Sequence, residues 1–243
     1  MILAIDAGNS RVKWGCYENG TWSTMGAVAH AQIDSMATAL QGTVVPQKIM
    51  ISNVAGPQIQ QAISAALEQF NTSPHWLKPT TICCGVTNGY EDPSRLGSDR
   101  WAALIGARRE KSGPLLVVNA GTALTIDAMT AAGEFLGGLI VPGARLMMRS
   151  LTTGTAQAHA TDGEFSQFPT NTTDAIYSGA LNAALGAISR MREALAAHTG
   201  SSPTCVISGG AAAAMIPHLL SSPTREVSHL VLLGLAIISE AAD

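Results

Sequence analysis

A handful of positions near the N-terminus carry the first readable chemistry. In ILAIDAGNSRVK (residues 2–13) an apolar run delivers Asp6 to a turn, Gly8 removes a side chain there, and Asn9, Ser10 and Lys13 follow with donors and a positive charge. A glycine turn lets a ligand approach the main chain closely, and the turn's amides and hydroxyl suit phosphate oxygens. Asp6 would repel a bare phosphate. A divalent cation between them removes the conflict, since Mg2+ accepts few protein carboxylates and completes its shell with phosphate and water. The same order of residues recurs in LVVNAGTALTID (116–127), with Asn119 in place of Asp6 and with Gly121 and Thr122 at the turn. Asp127 adds a carboxylate two positions past Thr125. Two matched turns imply a phosphate clamp, one turn on each flank of a triphosphate, which points to ATP.

The elements that must position these turns can be read from period and punctuation. Strands are expected at 2–6, 11–17 and about 20–28, with Asn19-Gly20 as a hairpin turn. A helical stretch at 33–41, a strand at 48–53 and an amphipathic helix at 58–70 follow. The second half repeats the plan: strands at 115–119, 123–128 and 135–141, a helix start at Pro142, a long helix at 174–198, a strand at 204–208, a helix from Gly209-Gly210 toward 220, and a final helix at 229–241. Strands followed by alternating helices and strands, written twice, predict two mixed-sheet α/β domains, 1–112 and 113–243, joined by the short linker Lys111-Ser112-Gly113-Pro114. Between Asp174 and Arg190 the long helix has no formal charge. Such a helix needs cover on every side, which a second copy of the chain would supply.

Composition narrows the function classes. Hydrophobic residues make up 47% and charged residues 13% of the 243, about half the ~25% charge typical of soluble domains. So little charge also favours a homo-oligomer that hides apolar surface. A net charge of −3 offers no footprint for nucleic acid. No apolar run reaches the ~18 residues of a membrane span, and Asp6 interrupts any secretory signal, so a cytoplasmic protein is expected. Cys16, Cys83, Cys84 and Cys205 lack metal-site spacing, and adjacent cysteines cannot form an ordinary disulfide without strain.

A third constellation lies in GYEDPSRLGSDRWAALIGAR (89–108). Pro93 and Gly97 break regular structure, and Ser98 or Asp99 is placed to cap a helix whose N-terminus favours the ionised Asp99. Arg100 can hold a carboxylate or hydroxyl, and Tyr90 offers a phenol. On spacing alone, Asp99 as a plain helix cap and Arg100 as its surface neighbour is an equally good reading.

The paired turns resemble the phosphate motifs of the acetate kinase, sugar kinase and actin superfamily, and SGG at 208–210 resembles its adenosine-contacting element. That likeness implies duplicated ribonuclease H-like (actin-like ATPase) domains with mixed sheets and an interdomain nucleotide cleft. Within the superfamily, DAGNSRVK, YEDPSRLGSDR, NAGTALTID, GGLIVPG and NTTDAIYSG, in this order, resemble the type III pantothenate kinases. The resemblance implies ATP-dependent phosphorylation of the primary hydroxyl of pantothenate, the first committed step toward coenzyme A, in a homodimer. It makes Asp99 the general base. ATP would meet Asp6, Ala7, Gly8, Asn9, Ser10, Arg11, Val12 and Lys13, then Gly121, Thr122, Gly209 and Gly210. Pantothenate would meet Tyr90, Gly97, Ser98, Asp99 and Arg100, with Thr172 reaching it from a partner subunit and His159 a weaker candidate. Asp6 would hold Mg2+ with ATP. In similar enzymes the position of Asn119 is commonly Asp and helps hold K+ or NH4+, so the amide here puts that monovalent cation in doubt.

Two other readings stay open on sequence. One is another sugar or acetate-type kinase of the superfamily, which a substrate screen separates. The other is a non-catalytic nucleotide-binding regulatory protein, against which the intact Asp99 stands.

Overall fold

Two apolar strands with a hydrogen-bonded neighbour on both sides, Ile2–Ala7 and Leu115–Ala120, organise the chain. Both are buried along nearly their whole length, as expected of strands covered on both faces. The computed structural model describes residues 1–110, 113–153, 163–219 and 223–242. His159 and the Lys111–Ser112 part of the expected linker lie outside them.

In chain order the elements are β1 (Ile2–Ala7), β2 (Arg11–Glu18), β3 (Thr21–Ala29), α1 (Ser35–Ala39), β4 (Lys48–Asn53), α2 (Pro57–Leu67), β5 (Pro74–Trp76), β6 (Ile82–Cys83), β7 (Val86–Asn88) and α3 (Ser98–Ala107). The second half continues with β8 (Leu115–Ala120), β9 (Ala123–Met129), β10 (Glu134–Pro142), α4 (Ala144–Thr153), α5 (Thr172–Thr199), β11 (Thr204–Ser208), α6 (Ala212–Met215), β12 (Thr224–Glu226) and α7 (Leu230–Ala241).

Two compact units result, Met1–Arg109 with His229–Asp243, and Glu110–Ser228. In the first, the strand order is β3-β2-β1-β4-β5, with β1–β2–β3 antiparallel and β4 and β5 parallel to β1. In the second, β10-β9-β8-β11-β12 repeats that order and those directions. The duplication expected from the sequence is therefore a duplication of topology.

Each sheet carries its own core. In the first unit Ile59, Ile63 and Leu67 of α2 pack with Leu3, Ile5, Ile49 and Ile51. In the second, Leu181, Ala184 and Ile188 of α5 pack with Leu116, Val118, Leu124 and Ile126. Two further helices of the first unit, α3 and α7, press on each other and on β1 and β4. Their backbones touch: a Cβ at Gly234 would overlap the Ala102 carbonyl, and one at Gly106 would come within 2.7 Å of the Leu230 carbonyl. This contact explains the longest segment whose membership differs from expectation. Residues 229–242, expected with the second half, fold into the first unit because two glycines let α7 lie against α3.

Other differences are local. The stretch at 33–41 holds only five residues of helix, α1, preceded by a 3-10 turn at His30–Gln32. The Gly209-Gly210 helix likewise stops after α6 and a 3-10 turn. Pro142 closes β10, where its missing N–H costs no interior ladder bond, and the helix starts at Ala144 instead. No helix among the described residues is long and apolar enough to cross a membrane.

Candidate active site

The β1–β2 hairpin sets Asp6 opposite Lys13, while the parallel β4 sets Ser52 beside Asp6. Gly8 N–H donates to the Arg11 carbonyl at 3.1 Å, closing the turn. Gly8 is absent from the positive-φ positions, and a Cβ there would sit 3.7 Å from the Arg11 carbonyl, an ordinary contact. The bend itself therefore does not demand glycine. What glycine leaves is open space over the turn. Asn9, Ser10 and Arg11 are exposed, whereas Ala7 and Val12 are buried, so only their backbone can meet a ligand. Two histidines unforeseen in the sequence lie in this region, and His30 supports the turn. His30 Nε2 donates to the Gly8 carbonyl at 2.8 Å. His229, brought back by α7, lies near Lys13; burial and that ammonium hold its imidazole below the ordinary value.

Asp6 is electrostatically exceptional. Its Oδ1 is buried without a hydrogen-bond partner among the described residues. Burial pushes the carboxyl up to about 7, against the opposing pull of Lys13, and the nearby Asp99 charge adds to the rise. An orphaned carboxylate oxygen at a phosphate-type turn fits a cation. Among the described residues no three His, Cys, Asp or Glu side chains form a cage, so a fitting ion is one that completes its shell with phosphate and water, as Mg2+ does.

Asp99 stands beside Asp6 because α3 begins at the end of β4. Gly97 is the N-cap of α3, so Ser98 and Asp99 lie in the first turn rather than at the cap. Ser98 instead turns inward, its Oγ 2.8 Å from Ser52 Oγ. Asp99 Oδ1 accepts from the Arg100 N–H at 2.8 Å. Burial still raises the Asp99 carboxyl above its usual value, outweighing that N–H and the Arg100 charge. The helix terminus was expected to win this contest; desolvation wins it.

Arg100 is a buried residue, not a surface neighbour. Its Nη1 donates to the Tyr90 hydroxyl at 2.6 Å, and its guanidinium carbon lies 5.5 Å from the Tyr90 ring centroid. Asn88 shapes the loop that presents Tyr90: its Oδ1 accepts from the Tyr90 N–H, and its Nδ2 donates to the Pro93 carbonyl. Tyr90, Gly97, Ser98, Asp99 and Arg100 are thus gathered in one unit with Asp6 and Lys13.

In the second unit the β8–β9 turn is held from two sides. Gly121 N–H donates to the carbonyls of Asn119 and Ala123, and Gly143 N–H donates to that of Thr122. A Cβ on Gly143 would overlap the Gly121 carbonyl. Gly209 has φ +103°, and a Cβ there would meet the Ala120 carbonyl at 2.5 Å. The same carbonyl accepts from the Ala211 N–H. Gly209 is therefore packed against Ala120 at the end of β8, beside the Gly121–Thr122 turn, whereas a Cβ on Gly210 would meet nothing within 4 Å. Asn119 is half-buried and faces Thr125 and Ser208 in register, whereas Asp127 is sealed inside β9. Thr172, in the first turn of α5 after the Asn171 cap, lines a groove of about 700 Å³ with Met147, Leu151, Ile176 and Ala180.

Duplicated mixed sheets, each with a glycine turn after its central strand, and a desolvated Asp6–Asp99 pair in the first unit suit a kinase of the actin-like ATPase fold. Solved structures agree on the fold. A Campylobacter jejuni protein provisionally described as a Baf family transcriptional activator superposes with a TM-score of 0.62 at 20% identity, covering 99% of this chain and 98% of that one. Porphyromonas gingivalis acetate kinase gives 0.55 at 9% identity, covering 100% and 99%. The family model for type III pantothenate kinase matches residues 2–194. A type III pantothenate kinase from Aromatoleum aromaticum is 44% identical over 239 residues, 98% of each chain. The chain belongs to the type III pantothenate kinase family.

Proposed function

We propose the division of labour by which this chain phosphorylates pantothenate with ATP, opening coenzyme A biosynthesis. The observation that carries it is the pairing of Asp6 with Asp99 in one unit, both with raised carboxyl pKa values. Asp99 takes the proton of the pantothenate primary hydroxyl as that oxygen bonds to the γ-phosphorus. The bond to the bridging oxygen breaks, and ADP leaves with its electron pair. A carboxylate made more basic by burial is better suited to this task than an ordinary one. Arg100, oriented by Tyr90, binds pantothenate's carboxylate or hydroxyl, and Gly97 and Ser98 complete that side.

Residues 6–13 bind the ATP phosphates on one flank, with Lys13 supplying positive charge; Gly121 and Thr122 bind the other flank, and Gly209–Gly210 the adenosine. Asp6 holds Mg2+, whose charge offsets that building on the phosphates. The monovalent cation is assigned to Asn119 through its amide oxygen, which brings no charge; activation by KCl in a Tris background is accordingly expected to be weak. We further assign a homodimer. The uncharged stretch of α5 between Asp174 and Arg190 leaves Ala175, Gly179, Asn182, Ala183 and Gly186 exposed along one side, a stripe that a second copy can cover while Thr172 reaches the partner's substrate. Four free cysteines suit a reducing cytoplasm.

The test is ADP release by purified protein with MgATP, measured with and without pantothenate. Release that depends on pantothenate supports the assignment. Equal release in both arms, or release only with a sugar or acetate, refutes it.

A further inference from the structure

The β6–β7 hairpin turns through Cys84 and Gly85, with Cys83 paired to Val86 across it. Both turn residues have positive φ, 49° and 76°, the pattern of a two-residue type I′ turn, for which Asn-Gly is preferred. The same chain builds another such turn at Asn19-Gly20, with φ 48° and 81°. It thus uses Asn at one turn and Cys at the other. Cysteine has no affinity for this left-handed conformation, which residues bearing a Cβ avoid, so the turn does not explain its presence. What the turn achieves is proximity: Cys83 Sγ and Cys84 Sγ lie 3.5 Å apart, and both residues are half-buried.

That spacing does not suit a disulfide. Adjacent α-carbons are about 3.8 Å apart across a trans peptide, short of the ~4.4 Å at which ordinary disulfides begin. It does suit two sulfurs on one atom, which at bonds of about 2.3 Å and a tetrahedral angle stand about 3.8 Å apart. Among the described residues no third Cys, His, Asp or Glu joins them, so a four-coordinate structural zinc lacks its ligands. A three-coordinate thiophile that carries its own third substituent needs only the two sulfurs.

We propose that Cys83 and Cys84 form a bidentate dithiol site for three-coordinate thiophilic centres, trivalent organoarsenicals being the chemical class. With an arsenoxide, two As–S bonds replace the arsenic–oxygen bonds, and both S–H protons leave with the oxygen as water. Nothing is oxidised or reduced. The site is independent of the kinase chemistry.

The probe is phenylarsine oxide on the reduced, full-length protein, followed by intact mass spectrometry and a binding titration. One adduct per chain is expected, at the mass of the reagent less one water, reversed by a small dithiol but not by a monothiol. Cys83→Ser and Cys84→Asn should each weaken binding ~10²-fold or more, the gain a second linked contact ordinarily brings. Cys84→Asn copies the turn at Asn19, so its hairpin is retained, and unchanged thermal unfolding checks this. Cys16 and Cys205 are buried and remain in both variants. An adduct that persists in Cys84→Asn at undiminished affinity overturns the site, as does wild-type binding no tighter than that of either single-thiol variant.

Discussion

Ser52 Oγ and Ser98 Oγ, both buried, lie 2.8 Å apart. Ser52 stands in β4 opposite Asp6, and Ser98 immediately precedes Asp99. One hydroxyl contact therefore ties β4, the strand paired with Asp6 of β1, to the helix turn carrying the proposed base. Ser52→Ala leaves the buried Ser98 hydroxyl without this partner, a loss of about 1–3 kcal/mol. Thermal unfolding should move down accordingly, and turnover should fall ~10-fold as Asp99 loses its fixed place. MgATP affinity, set mainly by the hairpin, should change little. If turnover matches wild type in a destabilised Ser52→Ala protein, the contact holds the fold and not the base.

Asp99→Asn tests the base directly. The amide preserves shape and cannot accept the hydroxyl proton, so turnover should drop by ~10²–10⁴-fold. The binding of MgATP, read by calorimetry, should stay within a few-fold of wild type. Full turnover in the variant would remove Asp99 from the mechanism and leave Arg100 and Tyr90 as binding groups only.

The parts of this arrangement legible in the sequence were those with local signatures. Asp6-Ala7-Gly8 and Asn119-Ala120-Gly121 each sit where an apolar strand meets a glycine turn, and the plan of strands and helices around them repeats as anticipated. The α3 start was visible from Pro93 and Gly97. Hidden from view were features made by tertiary contact. Strands of two or three residues, such as β5, β6 and β12, carry no period to detect. The apolar α7 announces that it must be covered but not by which half; that is decided by Gly106 and Gly234 meeting across two helices distant in sequence. Ser52 and His30 are ordinary residues until α3 and the Gly8 turn lie against them.

Asp6 gives the nucleotide-free, metal-free protein a pH signature. Its carboxyl rises from 3.8 to about 7 in the fold, chiefly through burial. The folded state therefore binds the proton more tightly than the unfolded chain. This contribution is fully present below pH 3.8 and is lost as pH rises through about 7; it amounts to roughly 4 kcal/mol at most. Denaturant midpoints of the wild type should decline across that window more steeply than those of Asp6→Asn. Adding MgATP should reverse the trend, because the cation binds only the ionised carboxylate and its affinity weakens as pH falls below 7. Parallel pH profiles for wild type and variant would show that Asp6 ionises normally.

Two glycines of the proposed nucleotide site should respond oppositely to the same substitution. At Gly8 a Cβ meets nothing closer than 3.7 Å and φ is not positive. Gly8→Ala should therefore fold with stability within ~0.5 kcal/mol of wild type, as substitutions away from strained or packed positions do. Its methyl group, however, occupies the space in which phosphate must approach the turn, so KM for ATP should rise at least ~10-fold. Gly209 has φ +103°, and a Cβ there collides with the Ala120 carbonyl at 2.5 Å. Gly209→Ala should lose stability by roughly 1–3 kcal/mol along with its nucleotide affinity. Thermal unfolding and ATP titration of both variants separate the two roles. If Gly8→Ala bound ATP as tightly as wild type, phosphate would not pass over the first hairpin, and the nucleotide would have to be placed elsewhere in the unit.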